Sequence, residues 1–466
     1  MADRMTRDRS RQRLVIVGAG LCGSVLAMRL RSAFEVTVVE QSARRHPLLD
    51  DIDCPTGGVT TTINRAAGLG GTTNYWHNAL IELDHDDLRG CGLDPTDMAP
   101  WYRRAWSFFL SDAQIAETAA IGDRNAAATP VTARAAHMVV PQGRVNAWTF
   151  AQKAFAGPDA TIRYGRVERI EGADGTAPAR VIVRGDDGVS VLEADQVIVA
   201  AGGLATPVIL AASISRFGTC LGGYHDHPMA YVGKVQLRPD SMLKQISCVD
   251  SGPLSIRTGF VYQAKGLKAV FYLRPALSLD LRSITGEARY VLSDLRNDPF
   301  SPRKIMQLLG NIEAIREALL FKTRAGFRGD YYSILMLGEQ LPIADRGVLL
   351  PASGRPQLNW QVRDDEDASY QECLRQFLAG MSHDIVAQRL VEPSRWDYRT
   401  AAHHSGTARG FLDPAARGLD FFAVPEIPGV FVCDGSVLRS GGVANSGLTL
   451  VALSLRLADR LIAERA

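Results

Sequence analysis

Several common signals are missing from this chain of 466 residues. No stretch approaches the roughly 20 consecutive apolar residues of a membrane-spanning helix, so no integral membrane segment is expected. The seven cysteines (Cys22, Cys54, Cys91, Cys220, Cys248, Cys373 and Cys433) are odd in number and include no CxxC pair. That pattern suits neither a disulfide framework nor a zinc site, and it fits reduced thiols in a cytoplasm. An excess of one charge is also lacking: 52 Lys and Arg stand against 50 Asp and Glu, leaving +2. Nothing so balanced points to nucleic acid. GxSxG, P-loop and HExxH sequences are absent, which removes the usual signs of acyl transfer, NTP hydrolysis and zinc proteolysis. Internal repeats and low-complexity linkers are absent too.

What is present is an ordinary globular composition, 46% hydrophobic with 43 Gly and 22 Pro, on a chain long enough to need more than one core. The basic start, MADRMTRDRSRQR, precedes an apolar run too short for a secretory signal. Residues 1–11 therefore read as a disordered tail. RLVIVGAGLCGSVLAMRLRSAFEVTVVEQ (13–41) has the pattern of a strand, a Gly-rich turn, a helix and a second strand. The theme returns in DQVIVAAGGLATPVILAAS (195–213). A third strand, VFVCDGSVLRS (430–440), and a last helix, SGLTLVALSLRLADRLI (446–462), close the chain. Between them, 231–294 and 329–362 alternate apolar and polar residues as antiparallel strands do. Residues 302–322 show helical spacing with a basic face. Such a face suits a membrane surface or an electron-transfer partner, but we expect this helix to pack on its own sheet.

Gly18, Gly20 and Gly23 complete G-x-G-x-x-G, with Leu21 and Cys22 between the last two. The first glycine permits the tight turn, the second admits a pyrophosphate, and the third lets helix and strand approach. Glu40, ending the second strand, is placed to accept hydrogen bonds from a ribose. These features predict a dinucleotide, and two others favour FAD over NAD. The motif lies far from the rest of the nucleotide fold. A second Gly-rich stretch, running through Gly70, Gly71, Thr72, Thr73 and Asn74, offers backbone and hydroxyls to a flavin. Asp434, Gly435 and Ser436 form a turn whose N–H groups can reach the pyrophosphate or ribityl chain. His225-Asp226-His227 and His403-His404 lack a complementary ligand cluster, so no metal is expected.

Six stretches, in order, resemble the glucose–methanol–choline (GMC) flavoprotein oxidoreductases, especially their sugar- and pyranose-oxidising branch. They are GAGLCG with Glu40, GLGGTTNYW (68–76), VIVAAGGLATPVIL (197–210), YHDHPMA (224–230), HHSGTARG (403–410) and the block 430–462. The resemblance implies an α/β plus α+β architecture. A Rossmann-like FAD domain related to p-hydroxybenzoate hydroxylase would take 12–110, 160–230 and 400–466. A substrate domain and lid, an antiparallel sheet flanked by helices, would take 111–159 and 231–399. It selects His403 as the base, with His404 the alternative, and Asn445 as its partner; Val167 and Ala201 join the FAD contacts.

The implied reaction is oxidation of a sugar, glycoside or other secondary alcohol by hydride transfer to flavin N5, the electrons passing to O₂ or another acceptor. Imidazole has a suitable pKa for taking the hydroxyl proton, and a carboxamide can orient the oxygen. The altered Arg409-Gly410 and Asn445-Ser446 positions motivate an alternative, a natural-product tailoring enzyme with a non-redox lyase or isomerase outcome. An NAD-dependent dehydrogenase would rest on Gly18–Gly23 and Glu40 alone. Relatives with covalent flavin carry a histidine where this chain has Tyr75, so FAD is expected to bind non-covalently. Acid precipitation should therefore leave FAD in the supernatant, read from its absorption spectrum; colour kept in the pellet would mean a covalent link, with His77 the first suspect.

Overall fold

The computed structural model describes residues 11–43, 49, 51–54, 65–141, 160–172, 178–214, 220–284, 302, 306, 311–323, 329–413, 415 and 420–465. Residues 1–10 of the expected tail, residues 142–159 of the expected substrate domain and lid, and most of 302–311 lie outside the described residues.

Five strands form a parallel sheet in the order Val430–Val432, Gln196–Val199, Arg13–Val17, Glu35–Glu40 and Ala160–Tyr164. Leu14, Ile16, Val38, Val197, Ile198 and Val432 are fully buried. Such runs are what a parallel sheet covered on both faces requires. The helices Leu21–Leu30 and Gly447–Ala463 pack against each other over this sheet, so the first and last helices of the chain share one core. The carboxyl ends of Arg13–Val17, Gln196–Val199 and Val430–Val432 open together into Gly18, Ala200 and Asp434, where open α/β sheets bind ligands.

Two glycines make that turn possible. Gly18 has φ +100°, and a Cβ there would lie 2.6 Å from the Ala200 carbonyl oxygen. A Cβ on Gly23 would lie 1.9 Å from the Gly18 carbonyl oxygen, so only hydrogen lets the helix sit this close to the strand.

An antiparallel eight-stranded sheet supplies the second layer. Its path runs Cys248–Ser251, Leu254–Ala264, Leu267–Pro275, Tyr331–Gly338, Pro228–Leu237 and Ile385–Leu390; Arg134–Pro141 joins Leu254–Ala264, and Arg399–Thr400 joins Pro228–Leu237. Side chains alternate between faces. Phe271 stacks on Phe377 of helix Asp364–Gly380 at 4.8 Å, whereas the adjacent Tyr272 turns to the other face and lines a cavity. Helix Ile312–Thr323 packs on this domain, its Glu317 bonding the fully buried Lys234 at 2.9 Å. This part of 302–322 thus packs on its own sheet, as expected. Two three-stranded sheets complete the described fold: one joins Gly347–Leu349 and Gln357–Asn359, both within 329–362, to Cys220–Gly222, and the other, Arg166–Glu171, Ala179–Gly185 and Gly188–Ala194, lies outside the segments read as antiparallel strands. None of the seven cysteines forms a disulfide.

Gly23→Ala should lower stability by about 1–3 kcal/mol, because the added methyl overpacks a backbone contact. A chemical-denaturation midpoint equal to that of the unmodified protein would contradict the close packing described.

Candidate active site and cofactor cradle

A cavity of about 1390 Å³ runs from the ends of the parallel strands to the inner face of the antiparallel sheet. Gly18, Gly20, Leu21, Cys22, Glu40, Gly71, Thr72, Thr73, Val167, Ala201, Asp434, Gly435 and Asn445 line it, so most of the expected cofactor contacts share one wall. Gly23, Gly70, Asn74 and Ser436 lie behind that wall. Gly70, at φ +89°, donates its N–H to the Ala19 carbonyl. Asn74 Nδ2 donates to the carbonyls of Leu69 and Gly71 at 3.1 and 2.8 Å. These residues shape the loop from beneath, a structural role that spacing alone does not separate from contact.

The cradle has the open backbone that a pyrophosphate-linked cofactor needs. A Cβ added to Gly20 or Gly202 would meet no atom within 4 Å, so the backbone there faces open space. Helix Leu21–Leu30 begins at Gly20 with no side-chain cap, leaving first-turn N–H groups for an anion. Helix Ala205–Ser213 likewise begins without a side-chain cap. The residues present therefore fit FAD.

Two carboxylates fix this wall. Glu40 accepts from the Ala19 and Gly68 N–H groups at 2.9 and 2.8 Å, tying the dinucleotide turn to the second Gly-rich loop. This clamp adds to the ribose role expected of Glu40. Asp434 accepts from Gly202 N–H, the Thr206 hydroxyl, and both N–H and hydroxyl of Ser436, at 2.5 to 2.8 Å. Ser436 is thus committed to Asp434 and turned away from the cavity.

His403 and Asn445 meet, Nδ2 to Nε2, at 3.0 Å although 42 residues separate them. The other ring nitrogen of His403 lies 2.8 Å from His227 Nδ1. Gly441 and Gly442 carbonyls face His227 and favour a proton on its remaining nitrogen. Neutral His227 then has a bare Nδ1, which accepts from His403 Nδ1–H. His403 Nε2 is consequently the bare, basic nitrogen, and Asn445 donates to it.

Four groups hold this arrangement on the buried Asp226: His227 N–H at 2.7 Å, His403 N–H at 3.0 Å, the Tyr224 hydroxyl at 3.1 Å and the Thr400 hydroxyl. Ala402, at φ +59°, makes the turn that aims His403. His404 lines the same cavity but is held by a different partner. Its Nδ1 lies 2.8 Å from the Tyr224 oxygen, and its Nε2 is buried without a hydrogen-bond partner. Tyr224 donates to Asp226 and so accepts from His404, which leaves His404 Nε2 as a lone pair.

Tyr224, Asp226, His227 and Thr400 had no assigned role in the sequence reading beyond the turn motif. The available signal was the spacing His225-Asp226-His227, rich in polar groups at the entrance to an apolar strand. Among the described residues no group of three or more His, Cys, Asp or Glu could hold a metal.

Burial lowers the pKa of His403, and neighbouring His404 and His77 lower it further against the pull of Asp226. Burial also brings His225, His227 and His404 from 6.5 down to about 4. Burial by itself would raise Asp226, yet His404, His403 and the Thr400 hydroxyl hold it below its ordinary range. Below pH 6.5 the unfolded histidines take up protons that the folded ones refuse until about 4. Stability should therefore be full above that window and fall as pH drops through it. Denaturant midpoints at about pH 7.5 and about pH 5 measure the loss; equal midpoints would mean that these imidazoles are not buried in neutral form.

No family model matches this sequence, and no curated protein matches it. Solved structures do. Pyridoxine 4-oxidase from Mesorbium loti is 14% identical over 96% of this chain and 99% of its own, with a TM-score of 0.55. A formate oxidase of Aspergillus oryzae, solved to study the effect of a mutation on FAD modification, is 16% identical over 98% and 99%, at 0.57. A further formate oxidase structure is 15% identical over 97% and 99%, at 0.56. The likeness is end to end and one of architecture: this chain shares the fold of these solved oxidases.

Proposed function

We propose that this protein is an FAD-dependent, GMC-type oxidoreductase that oxidises an alcohol to a carbonyl. The observation that carries the reading is the His403–Asn445 pair, 3.0 Å apart on a cavity continuous with the dinucleotide cradle. FAD bound in that cradle would supply the acceptor for the hydride. An alcohol oxygen entering between the two side chains replaces their direct bond with two: Asn445 donates to it, and it donates to His403 Nε2. His403 is neutral above its lowered pKa and takes the hydroxyl proton as the C–H bond is aligned. His227 keeps the second nitrogen of His403 protonated, so the base presents its lone pair to the substrate. His404 gives its Nδ1 proton to the Tyr224 oxygen, and Asn445 meets His403 rather than His404, which supports His403 as the base.

Tyr75 in place of a linking histidine supports non-covalent FAD. The structural neighbours are named oxidases, which favours O₂ as electron acceptor over other acceptors. Free cysteines suit a cytoplasmic setting, and no described helix is long and apolar enough to cross a membrane. The sugar expectation is weaker than the alcohol one. Met138, Val140, Met229, Leu335 and Leu337 line the cavity, and such a wall favours a substrate with an apolar body over a bare polyol.

His403→Ala should retain FAD and slow anaerobic flavin reduction by about 10²–10⁴-fold, the usual contribution of a general base. Wild-type reduction in that variant together with an inactive His404→Ala would reassign the base. Turnover of substrate with no acceptor consumed would favour the non-redox tailoring reaction.

A further inference from the structure

Apart from the sheet residues Arg257, Tyr272 and Arg274, the cavity is bordered by a polar group around His404. The His404 side chain is 8% exposed, and the residue lines the cavity. Its Nδ1–H is spent on the Tyr224 oxygen at 2.8 Å, and its Nε2 meets no hydrogen-bond partner. Burial keeps the ring neutral, lowering its pKa from 6.5 to about 4, so near pH 7 this Nε2 is an acceptor. His403 is the contrast, since both of its ring nitrogens are engaged. A buried acceptor left unmet is costly, and a donor from a bound molecule removes the cost.

Arg65 borders the same space. It is 7% exposed, lines the cavity and acts electrostatically on the His404 ring. Its Nη1 donates to Asp51 at 2.7 Å, an ion pair that balances the guanidinium charge. A guanidinium carries five N–H donors, so this single bond leaves donors for the cavity. The His404 main chain is packed against the cradle turn. A Cβ on Gly203 or Gly435 would lie 2.0 or 2.5 Å from its carbonyl oxygen. Packing thus fixes the backbone of His404, and Tyr224 fixes its ring. With Arg65 paired and the imidazole neutral, the place suits an uncharged group, and a hydroxyl both donates and accepts.

We propose that His404 and Arg65 form a hydroxyl subsite, in which Nε2 accepts from an O–H group of a bound, uncharged donor and the guanidinium donates to an oxygen beside it. Two molecules can bring that hydroxyl: a flavin cofactor through its ribityl chain, or a substrate with a second hydroxyl besides the one that His403 deprotonates. Assigning it to either rests on the oxidoreductase reading; the subsite itself does not.

The test has two arms, each run on the unmodified protein, His404→Phe and His404→Gln. One arm measures FAD dissociation from the purified protein by the rise in flavin fluorescence on dilution. The other compares 1-phenyl-1,2-ethanediol with 1-phenylethanol, which lacks the second hydroxyl, by titration calorimetry. One neutral hydrogen bond is worth about three- to tenfold in affinity. His404→Phe should lose that factor for FAD if the cofactor supplies the hydroxyl, and for the diol alone if the substrate does. His404→Gln, whose amide oxygen reaches the place of Nε2, should restore most of it, which a mere loss of packing would not permit. Arg65→Gln should weaken the same ligand, and it carries the test if His404→Phe does not fold.

FAD and diol affinities that neither His404→Phe nor Arg65→Gln changes would overturn the subsite. So would a His404→Gln protein as impaired as His404→Phe, or no measurable binding of either ligand. Colourless protein whose diol preference is lost in His404→Phe would sink the oxidoreductase reading and leave the subsite standing. Yellow protein that oxidises alcohols while neither affinity responds to the variants would do the reverse.

Discussion

The buried carboxylate of Asp226 is the interaction on which the reactive end depends. It accepts from the main chain of His227 and His403 and from the hydroxyls of Tyr224 and Thr400. Those donors come from two segments, one entering the antiparallel sheet near residue 228 and one leaving it near residue 400, which also pair as strands. Removing such an acceptor strands several buried donors at once, and the cost of unmade bonds exceeds the net value of made ones. The same carboxylate therefore joins these two segments and sets the direction of His403 and, through Tyr224, of His404. A left-handed residue, Ala402, persists between Thr400 and His403 because these bonds over-determine it.

At the opposite end Asp434 and Glu40 do comparable work for the cradle. Asp434 binds the start of one helix to the turn after the last parallel strand, and Glu40 binds two Gly-rich loops together. Each carboxylate is satisfied by protein donors, so the open surface is left to backbone N–H groups and to glycines with no side chain. A cradle of this kind suits a ligand that brings its own negative charge. Between the two ends, one face of the antiparallel sheet passes from apolar residues to a pair of arginines.

Much of this was legible in local order. The glycines at 18, 20 and 23 each have a steric reason readable from spacing, and close contacts of the Cβ atoms they lack bear out the reasons for Gly18 and Gly23. The resemblance pairs His403 with Asn445, and the two side chains meet at 3.0 Å. Residues such as Gly70, Asn74 and Ser436 were read as contacts but lie one layer behind. Periodicity reports which residues are near a turn, whereas the direction of a side chain in a loop depends on what packs against it.

Sequence alone determined four of the five parallel strands, all but Ala160–Tyr164, the turn glycines and the chemistry available at His403. These follow from backbone sterics and from residue type, which act over a few positions. Tertiary structure alone decided which nitrogen of His403 is basic, because that depends on His227, Asn445 and a carbonyl near residue 441, far apart in the chain. It also decided that Arg257, Tyr272 and Arg274 share a face. Strand pairing sets that proximity, and pairing between strands distant in sequence leaves no mark on any one of them.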